Sequence, residues 1–320
     1  MKLALRVSAS LLALSACDTP GGRGGATTAP TSTPDAQGSD AATADVAGQD
    51  PAVAAVCARW NADRAERDEG AWTGSIATCD PGDVAEPSRT NTLAQVNLYR
   101  WLAGLPPVEA DAGKNAAAQA CALVMHANDA IEHVVPSGWR CREPSGVQAA
   151  GLSNLATVPG VAAVDLYMTD EGVDNLGHRR WILSNSLGPI GMGSTSRYSC
   201  LHVIYGDGDA GQRWTAWPPP GVVPYGALEM GSGWSRLSTD AAGWSVQSDD
   251  VDLRGAEVTV TRDGESLPLD VWTLDSGYGS TFGVGFRPDG WATEPGATYR
   301  VRLVLAREEL EYDVHVAACD

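Results

Sequence analysis

Basic residues and long apolar runs are both scarce in this chain of 320 residues. Lys and Arg together number 22 against 40 Asp and Glu, so the formal net charge at pH 7 is −18. Binding to a phosphate backbone needs clustered Lys and Arg, and this balance therefore argues against a nucleic-acid partner. No stretch approaches the run of about 18 apolar residues that a membrane-spanning helix needs, so the sequence predicts no transmembrane helix.

The first 17 residues predict a bacterial lipoprotein signal peptide. A short basic start precedes a small apolar core at Leu11–Ala16. Leu14-Ser15-Ala16-Cys17 then resembles the bacterial lipobox, in which the cysteine is cleaved at and diacylated. A plain secretory signal is the alternative. We expect a protein lipid-anchored through Cys17 in the cell envelope, outside the cytoplasm, at the cytoplasmic or the outer membrane.

No two cysteines form a C-x-x-C pair, so a structural zinc knuckle is not expected. With Cys17 assigned to lipidation, an even number remains, which in an exported chain indicates three disulfides. The candidates are Cys57, Cys79, Cys121, Cys141, Cys200 and Cys319. The sequence leaves the connectivity open. We favour the local loops Cys57–Cys79 and Cys121–Cys141, with Cys200–Cys319 tying the C-terminus to the first domain.

Composition divides the rest of the chain into segments. Residues 18–50 have almost no large apolar side chain, which predicts a disordered linker. Residues 51–87 are an N-terminal extension of unassigned structure. The stiff stretch Trp217-Pro218-Pro219-Pro220-Gly221 is the natural boundary between a first domain at residues 88–215 and a second at residues 216–320.

Apolar spacing in the first domain predicts helices followed by strands. Thr92-x-x-Gln95 offers a capping box for one helix, Asp111 caps a second, and Pro159 marks the start of a third. The stretch Asp165–Leu183 then reads as helix, sharp turn and second short helix, and it is dense in polar side chains. Two runs rich in Ile, Val and Tyr and bounded by Gly follow as strands. The domain is therefore predicted to be α+β, with three layers.

Several short motifs stand in a fixed order over roughly residues 91–206. They are Asn97-Leu98-Tyr99-Arg100, Gly104-Leu105-Pro106-Pro107-Val108, a helix ending near His133, Ser153-Asn154-Leu155, Val164-Asp165-Leu166-Tyr167 and Asn175-Leu176-Gly177-His178-Arg179-Arg180. In this order they resemble the CAP superfamily of cysteine-rich secretory, antigen 5 and pathogenesis-related 1 proteins, also called the SCP domain. The likeness is to its bacterial branch, and it implies an α-β-α sandwich.

The resemblance also implies a central cleft lined by two histidines and two acidic residues. Carried over position by position, the histidines are His133 and His178, and one acid is Asp170. The other acid normally precedes the Asn-Leu pair, where this chain has Ser153. That departure removes a metal ligand or a base from the set. Glu171 takes the place of Asp170 if the turn shifts by one residue.

Two imidazoles with a carboxylate suit zinc, so His133 and His178 are candidate metal ligands. The sequence requires no cofactor, and zinc is the metal that such a set would take. The structural alternative is that each histidine caps a helix or packs through a hydrogen bond. His202, which alternates with apolar residues on a strand, is a candidate for a further polar group in the cleft. Ser153 lacks the second glycine of the G-x-S-x-G turn, so a serine nucleophile is not expected.

Residues 216–320 predict an all-β immunoglobulin-like sandwich. Apolar and polar residues alternate in short runs separated by turns, as in an antiparallel sandwich. The runs are Val258–Val260, Leu267–Val271, Phe282–Phe286, Tyr299–Leu305 and Leu310–Val316. Phenylalanine is rare, at 2 residues, whereas tryptophan reaches 11. Exposed tryptophans stack on sugars, although such residues more often fill cores.

Together these features favour a lipid-anchored CAP protein that acts as a binding module at the bacterial cell envelope and not as an enzyme. Its expected ligand is a hydrophobic molecule, a protein or a glycan, with membrane attachment through the lipid. One alternative is a metal-assisted, peptidase-like hydrolase that uses His133, His178 and Asp170. Another is envelope adhesion through the tryptophan-rich sandwich.

Overall fold

The structure, a computed structural model, describes residues 50–232 and 235–319. The predicted signal peptide, its Cys17 and the predicted linker up to residue 49 lie outside the described residues. None of the described helices is both long and apolar enough to cross a membrane. The described residues belong to one compact unit.

The helices and strands follow one another from the N-terminal extension to the C-terminus. In the described residues the helices are α1 (Pro51–Asp63), α2 (Glu86–Leu102), α3 (Ala112–Asn128), α4 (Pro144–Ala150), α5 (Gly160–Thr169), α6 (Gly177–Ile182), α7 (Tyr225–Leu228) and α8 (Thr239–Ala242). The strands are β1 (Ser153–Ala156), β2 (Gly191–Ser194), β3 (Ser199–His202), β4 (Thr215–Trp217), β5 (Gly221–Pro224), β6 (Glu229–Ser232), β7 (Ser235–Ser238), β8 (Trp244–Ser248), β9 (Glu257–Arg262), β10 (Glu265–Leu267), β11 (Leu269–Thr273), β12 (Phe282–Pro288), β13 (Thr298–Val304) and β14 (Glu309–Ala317).

The N-terminal extension contains a helix that packs on the core. The Asp50 side chain accepts a hydrogen bond from the Ala52 N–H at 2.9 Å, and Pro51 occupies the first turn, so both start signals of α1 are local. Trp60, only 7% exposed, meets the ring of Tyr99 on α2 edge-on at 6.0 Å between centroids. The extension is therefore an integral part of the fold.

The start of α2 differs from its prediction. The helix begins at Glu86, where Pro87 fills the first turn, and Thr92 and Gln95 lie inside it. The Thr92 hydroxyl donates to the Ser88 carbonyl at 2.7 Å, a bond within the helix. The capping-box prediction was wrong because proline in the first turn set the earlier start.

Two other predicted helix starts are confirmed. The Asp111 carboxylate accepts from the Lys114 N–H at 2.7 Å and caps α3. Helix α5 follows Pro159 and ends at Thr169, and α6 begins after a turn, as the Asp165–Leu183 pattern predicted. Helix α4 has no counterpart in the prediction.

A small sheet in the order β1-β3-β2 separates two helical layers. Helices α3 and α4 contact one face, and α2 and α5 contact the other. Gly193 shows how close the first layer is, since a Cβ there would lie 2.1 Å from the backbone of Ala118 in α3. These layers match the predicted α+β architecture of the first domain.

The expected three disulfides are present, but the predicted pairing was wrong. The bonds are Cys57–Cys319, Cys79–Cys141 and Cys121–Cys200, with Cα atoms 4.9, 5.0 and 6.1 Å apart respectively. The pairing is set by packing between elements that are distant in the sequence. The α3 face that carries Cys121 packs on β3 and so meets Cys200, whereas α1 packs along β5 and brings Cys57 to the C-terminus.

Residues from Thr215 onward form two larger sheets, in the orders β10-β9-β13-β14-β5 and β11-β12-β8-β4. Their described pairs are antiparallel except for the parallel pair of β14 and β5. The predicted alternating runs are found as strands, but Leu267–Val271 is divided at Pro268 between β10 and β11, which belong to different sheets. The stretch Trp217–Gly221 crosses from β4 to β5 and so links the two sheets.

One hydrophobic cluster runs through both parts of the chain. It contains Val96 and Met168 from the helices together with Val246 and Tyr299 from the two sheets. Trp217 is fully buried between them, and its ring lies 5.5 Å from that of Tyr99. The described residues thus share a continuous core across the predicted domain boundary.

Candidate functional site

Asp170 and His178 form a hydrogen-bonded pair at the turn between α5 and α6. Asp170 ends α5 in the left-handed conformation, φ 59°, which Asp tolerates better than most residues. Its Oδ1 accepts from Nδ1 of His178 at 2.7 Å, and its Oδ2 accepts from the Arg179 N–H at 3.1 Å. A carboxylate only accepts, so Nδ1 carries a proton, and in the neutral ring Nε2 carries the lone pair.

The pair is oriented from two sides. The Asp170 side chain is fully buried, whereas the His178 side chain is 26% exposed. The Tyr167 ring lies 5.4 Å from the imidazole, and its hydroxyl donates to the Asn154 carbonyl on β1 at 3.1 Å. The Asn154 amide in turn donates to the His178 carbonyl at 3.0 Å. The imidazole is therefore a fixed group with one nitrogen available.

His133 makes its hydrogen bond to the backbone and not to a carboxylate. It is exposed, and its Nδ1 donates to the Ala150 carbonyl at the end of α4, at 2.9 Å. Val134 beside it is 86% exposed. In the described part of the chain no hydrogen bond joins His133 to His178, so their shared cleft stays a prediction.

Ser153 is fully buried on β1, directly opposite His202 on β3. The Ser153 Oγ and the His202 Nδ1 are both buried and have no hydrogen-bond partner among the described residues. Burial lowers the pKa of His202, and the charge of Lys114 lowers it further. A buried serine without a base in hydrogen-bond reach does not act as a nucleophile. Glu171, the alternative acid, is exposed.

The two arginines after His178 are structural, which the sequence did not reveal. Both side chains are buried. Arg179 donates to the carbonyls of Met168, Thr169 and Gly243, and Arg180 donates to that of Asp275. Burial lowers the pKa of each to about 10, so both remain charged at neutral pH. They hold α6 against the C-terminal sheets.

A second polar cluster was missed because two of its members lie in the unassigned extension. Asp165 on α5 accepts hydrogen bonds from Arg64, Arg67 and the Tyr99 hydroxyl at 2.7–2.8 Å. The Arg64 guanidinium also donates to Gln95 at 2.9 Å and stacks 4.4 Å from the Trp60 ring. The sequence feature that could have revealed this cluster is the carboxylate of Asp165 on an otherwise apolar face of α5.

Beside this cluster lies a groove of about 620 Å³. We call it the Asp165 groove and define it by residues from α1 and the segment after it, from α5 and the segment before it, from α7, and from strands β6 and β7. They include Trp60, Arg64, Arg67, Val158, Ala162, Asp165, Leu166, Gly226, Met230 and Leu237. The lining of the groove thus combines apolar side chains with the charged, hydrogen-bonded cluster around Asp165.

Residues 93–205 match the family model described as CAP: Cysteine-rich secretory protein family. That segment of the chain is similar to CAP proteins. No curated protein and no solved structure matches the chain significantly. The three disulfides indicate an extracytoplasmic protein.

The matched segment contains His133, Ser153, Asp170 and His178, whereas part of the Asp165 groove comes from residues outside it. Arg64 and Arg67 precede the matched segment, and the paired strands β6 and β7 follow it. The groove is therefore built by the matched segment together with the elements that flank it.

The residues of the matched segment do not fit a zinc site with three protein ligands. No group of three or more His, Cys, Asp or Glu side chains that could hold a metal occurs in residues 50–232 and 235–319. Both oxygens of Asp170 are engaged, by His178 and by the Arg179 N–H, and the sequence has Ser153 at the position expected for the second acid. Zinc binding by His133 and His178 stays a prediction.

Proposed function

We propose that this CAP-domain protein is a lipid-anchored binding protein of the bacterial cell envelope that takes up a hydrophobic ligand in the Asp165 groove. The groove itself carries the proposal. Its volume, about 620 Å³, falls within the range of roughly 300–1,000 Å³ typical of small-molecule sites. Val158, Leu166 and Leu237 offer apolar contacts to such a ligand, and the fixed polar groups around Asp165 can orient it.

The floor of the groove is organised before any ligand arrives. Asp165 is held by two guanidinium groups and a phenol, and these charge-assisted hydrogen bonds fix the orientation of its carboxylate. The Glu69 carboxylate caps the start of α5 by accepting from the Val161 and Ala162 N–H groups at 2.9 and 2.7 Å. A rigid site of this kind binds without the cost of ordering its own walls.

Filling the groove should weaken ligand binding. Ala162 is exposed on the groove wall, so Ala162→Trp projects an indole into the space without removing the Glu69 hydrogen bond, which uses the backbone. In a fluorescence titration with 1-anilinonaphthalene-8-sulfonate, we expect the affinity to fall about tenfold or more, equivalent to about 1.4 kcal/mol.

Ala54→Trp is the matched control, since Ala54 is an exposed helical alanine on α1 that does not line the groove. It should leave the affinity for the dye within about twofold of the wild type. Equal affinities in the wild type and both variants would contradict binding in the groove.

The anchor is tested by Cys17→Ser. The lipobox-like sequence Leu14-Ser15-Ala16-Cys17 supports acylation at this cysteine, and the three disulfides support export. We expect the variant to leave the membrane fraction and appear in the soluble fraction on immunoblots. Unchanged membrane association would place the anchor elsewhere.

We also propose that residues 216–320 form an immunoglobulin-like module beside the CAP domain. Two sheets with alternating inward side chains support this assignment. The environment of Trp244 favours packing over glycan contact. Trp244 is 1% exposed and lies against Phe286, Trp291 and Tyr299.

A hydrolase is the second candidate, and the Asp170–His178 pair is the observation that favours it. A histidine oriented by a buried carboxylate is the usual arrangement of a general base. Turnover on a panel of peptides and esters that is lost in His178→Ala would support this candidate over simple binding.

A further inference from the structure

The turn that carries His178 is held by the C-terminal sheets. The Trp272 indole N–H, on β11, donates to the Asp174 carbonyl at 2.8 Å. The Arg180 guanidinium donates to the Asp275 carbonyl at 2.7 Å and to the Ser280 hydroxyl at 3.1 Å. Hydrogen bonds with β11 and with the loop that follows it therefore hold Asp174 and Arg180, which lie on either side of His178 in the sequence.

Close packing reinforces these bonds. A Cβ at Gly177, the residue before His178, would lie 2.8 Å from the ring of Tyr278. A Cβ at Gly279 would lie 2.2 Å from the Arg180 carbonyl. The loop between β11 and β12 thus meets the first turn of α6 with no space for even a methyl group.

Leu176 shows that the turn depends on this support. It begins α6 in the left-handed conformation, φ 51°, which is unfavourable for a bulky side chain and persists only where the surroundings hold it. The surroundings are a small apolar cluster in which Leu176 is fully buried among Ala242, Leu274 and Trp272. All three of these neighbours belong to the C-terminal region.

We infer that the C-terminal sheets are the positioning element of the Asp170–His178 pair, with Trp272 and Tyr278 as positioning residues. The CAP site of this chain is then complete only with the loop between β11 and β12. Tyr278, 38% exposed, places its ring against Gly177, the residue before His178. This inference is independent of ligand binding in the Asp165 groove.

Two variants of the mature protein, each of which removes one contact with the turn, test this inference by NMR. Trp272→Phe keeps the ring but removes the hydrogen bond to Asp174, and Tyr278→Ala removes the ring over Gly177. The reporters are the Nδ1 proton of His178 and the Arg179 amide, because both are bonded to the Asp170 carboxylate. In Trp272→Phe we expect the His178 proton signal to shift and broaden and the Arg179 amide to exchange about 5- to 30-fold faster. The same reporters should respond in Tyr278→Ala.

Trp291→Phe is the matched control, since the Trp291 indole donates to the Pro268 carbonyl at 2.7 Å in the same region but away from α6. The control should leave both reporters unchanged, and the Leu201 amide of β3 should exchange equally in all variants. The inference is overturned if both reporters are unchanged in Trp272→Phe and Tyr278→Ala. An equal response in Trp291→Phe would also overturn it, because it would show general destabilisation.

Discussion

Arg179→Ala is expected to lower the free energy of unfolding by about 3–5 kcal/mol, the usual cost of breaking a buried charged network. The guanidinium is fully buried, and its hydrogen bonds to the carbonyls of Met168, Thr169 and Gly243 measure 2.7–2.8 Å. Alanine leaves these acceptors without donors and opens a cavity between α5, α6 and the C-terminal sheets. Urea unfolding followed by tryptophan fluorescence measures the change.

Arg142→Ala is the control for the loss of an arginine as such. Arg142 is exposed, and surface substitutions usually change stability by no more than about 0.5 kcal/mol. If Arg179→Ala loses no more stability than Arg142→Ala, the buried guanidinium does not hold α5 and α6 against the C-terminal sheets.

Asp165→Asn is expected to cost about 3 kcal/mol or more at neutral pH, because it leaves the partly buried guanidinium groups of Arg64 and Arg67 without their counter-charge. Burial alone raises the pKa of Asp165, but the hydrogen bonds and charge of Arg64, with help from Arg67, outweigh it and hold the pKa below its ordinary value. A carboxylate with a depressed pKa stabilises the fold above its unfolded pKa, and this contribution is lost as the pH falls through the folded pKa.

The pH dependence of the free energy of unfolding tests this prediction. The difference in the free energy of unfolding between the wild type and Asp165→Asn should have its full size above about pH 5. It should decrease as the pH falls below about 4, the pKa of Asp in the unfolded chain. We call this difference the stability gap. Denaturant unfolding at several pH values measures this gap. Asp252→Asn should show no measurable gap, since the hydrogen bond from Arg254 lowers the pKa of Asp252 to about 2 but the pair is solvent-exposed. A gap for Asp165→Asn that is constant with pH would contradict the ionised network.

Local signals in the sequence predicted the parts of the fold that local chemistry decides. Asp111 caps α3 because an acidic side chain at that position satisfies a free N–H, whatever the rest of the chain does. The turn from Asp165 to Leu183 and the alternating strands were predicted for the same reason. The predicted start of α2 was wrong because Pro87 and Thr92 each favour a helix start, at different residues. The helix begins at the earlier of the two, beside Pro87.

What depends on tertiary packing could not be predicted. The partner of Cys121 is set by the α3 face that meets β3, which no spacing of cysteines encodes. The burial of Arg179 and Arg180 follows from the packing of the C-terminal sheets on α6, which no local pattern in the sequence indicates. The Asp165 groove needs Arg64 and Arg67 from a segment whose sequence gave no pattern to connect it with α5.

The central proposal is that ligand enters the Asp165 groove and not the histidine site, and NMR shift mapping with 1-anilinonaphthalene-8-sulfonate tests this most directly. We predict saturable shifts of the Ala162, Leu166 and Gly226 amides, with those of Gly177 and His178 unchanged. Shifts concentrated at Gly177 and His178, with a silent groove, would contradict the proposal.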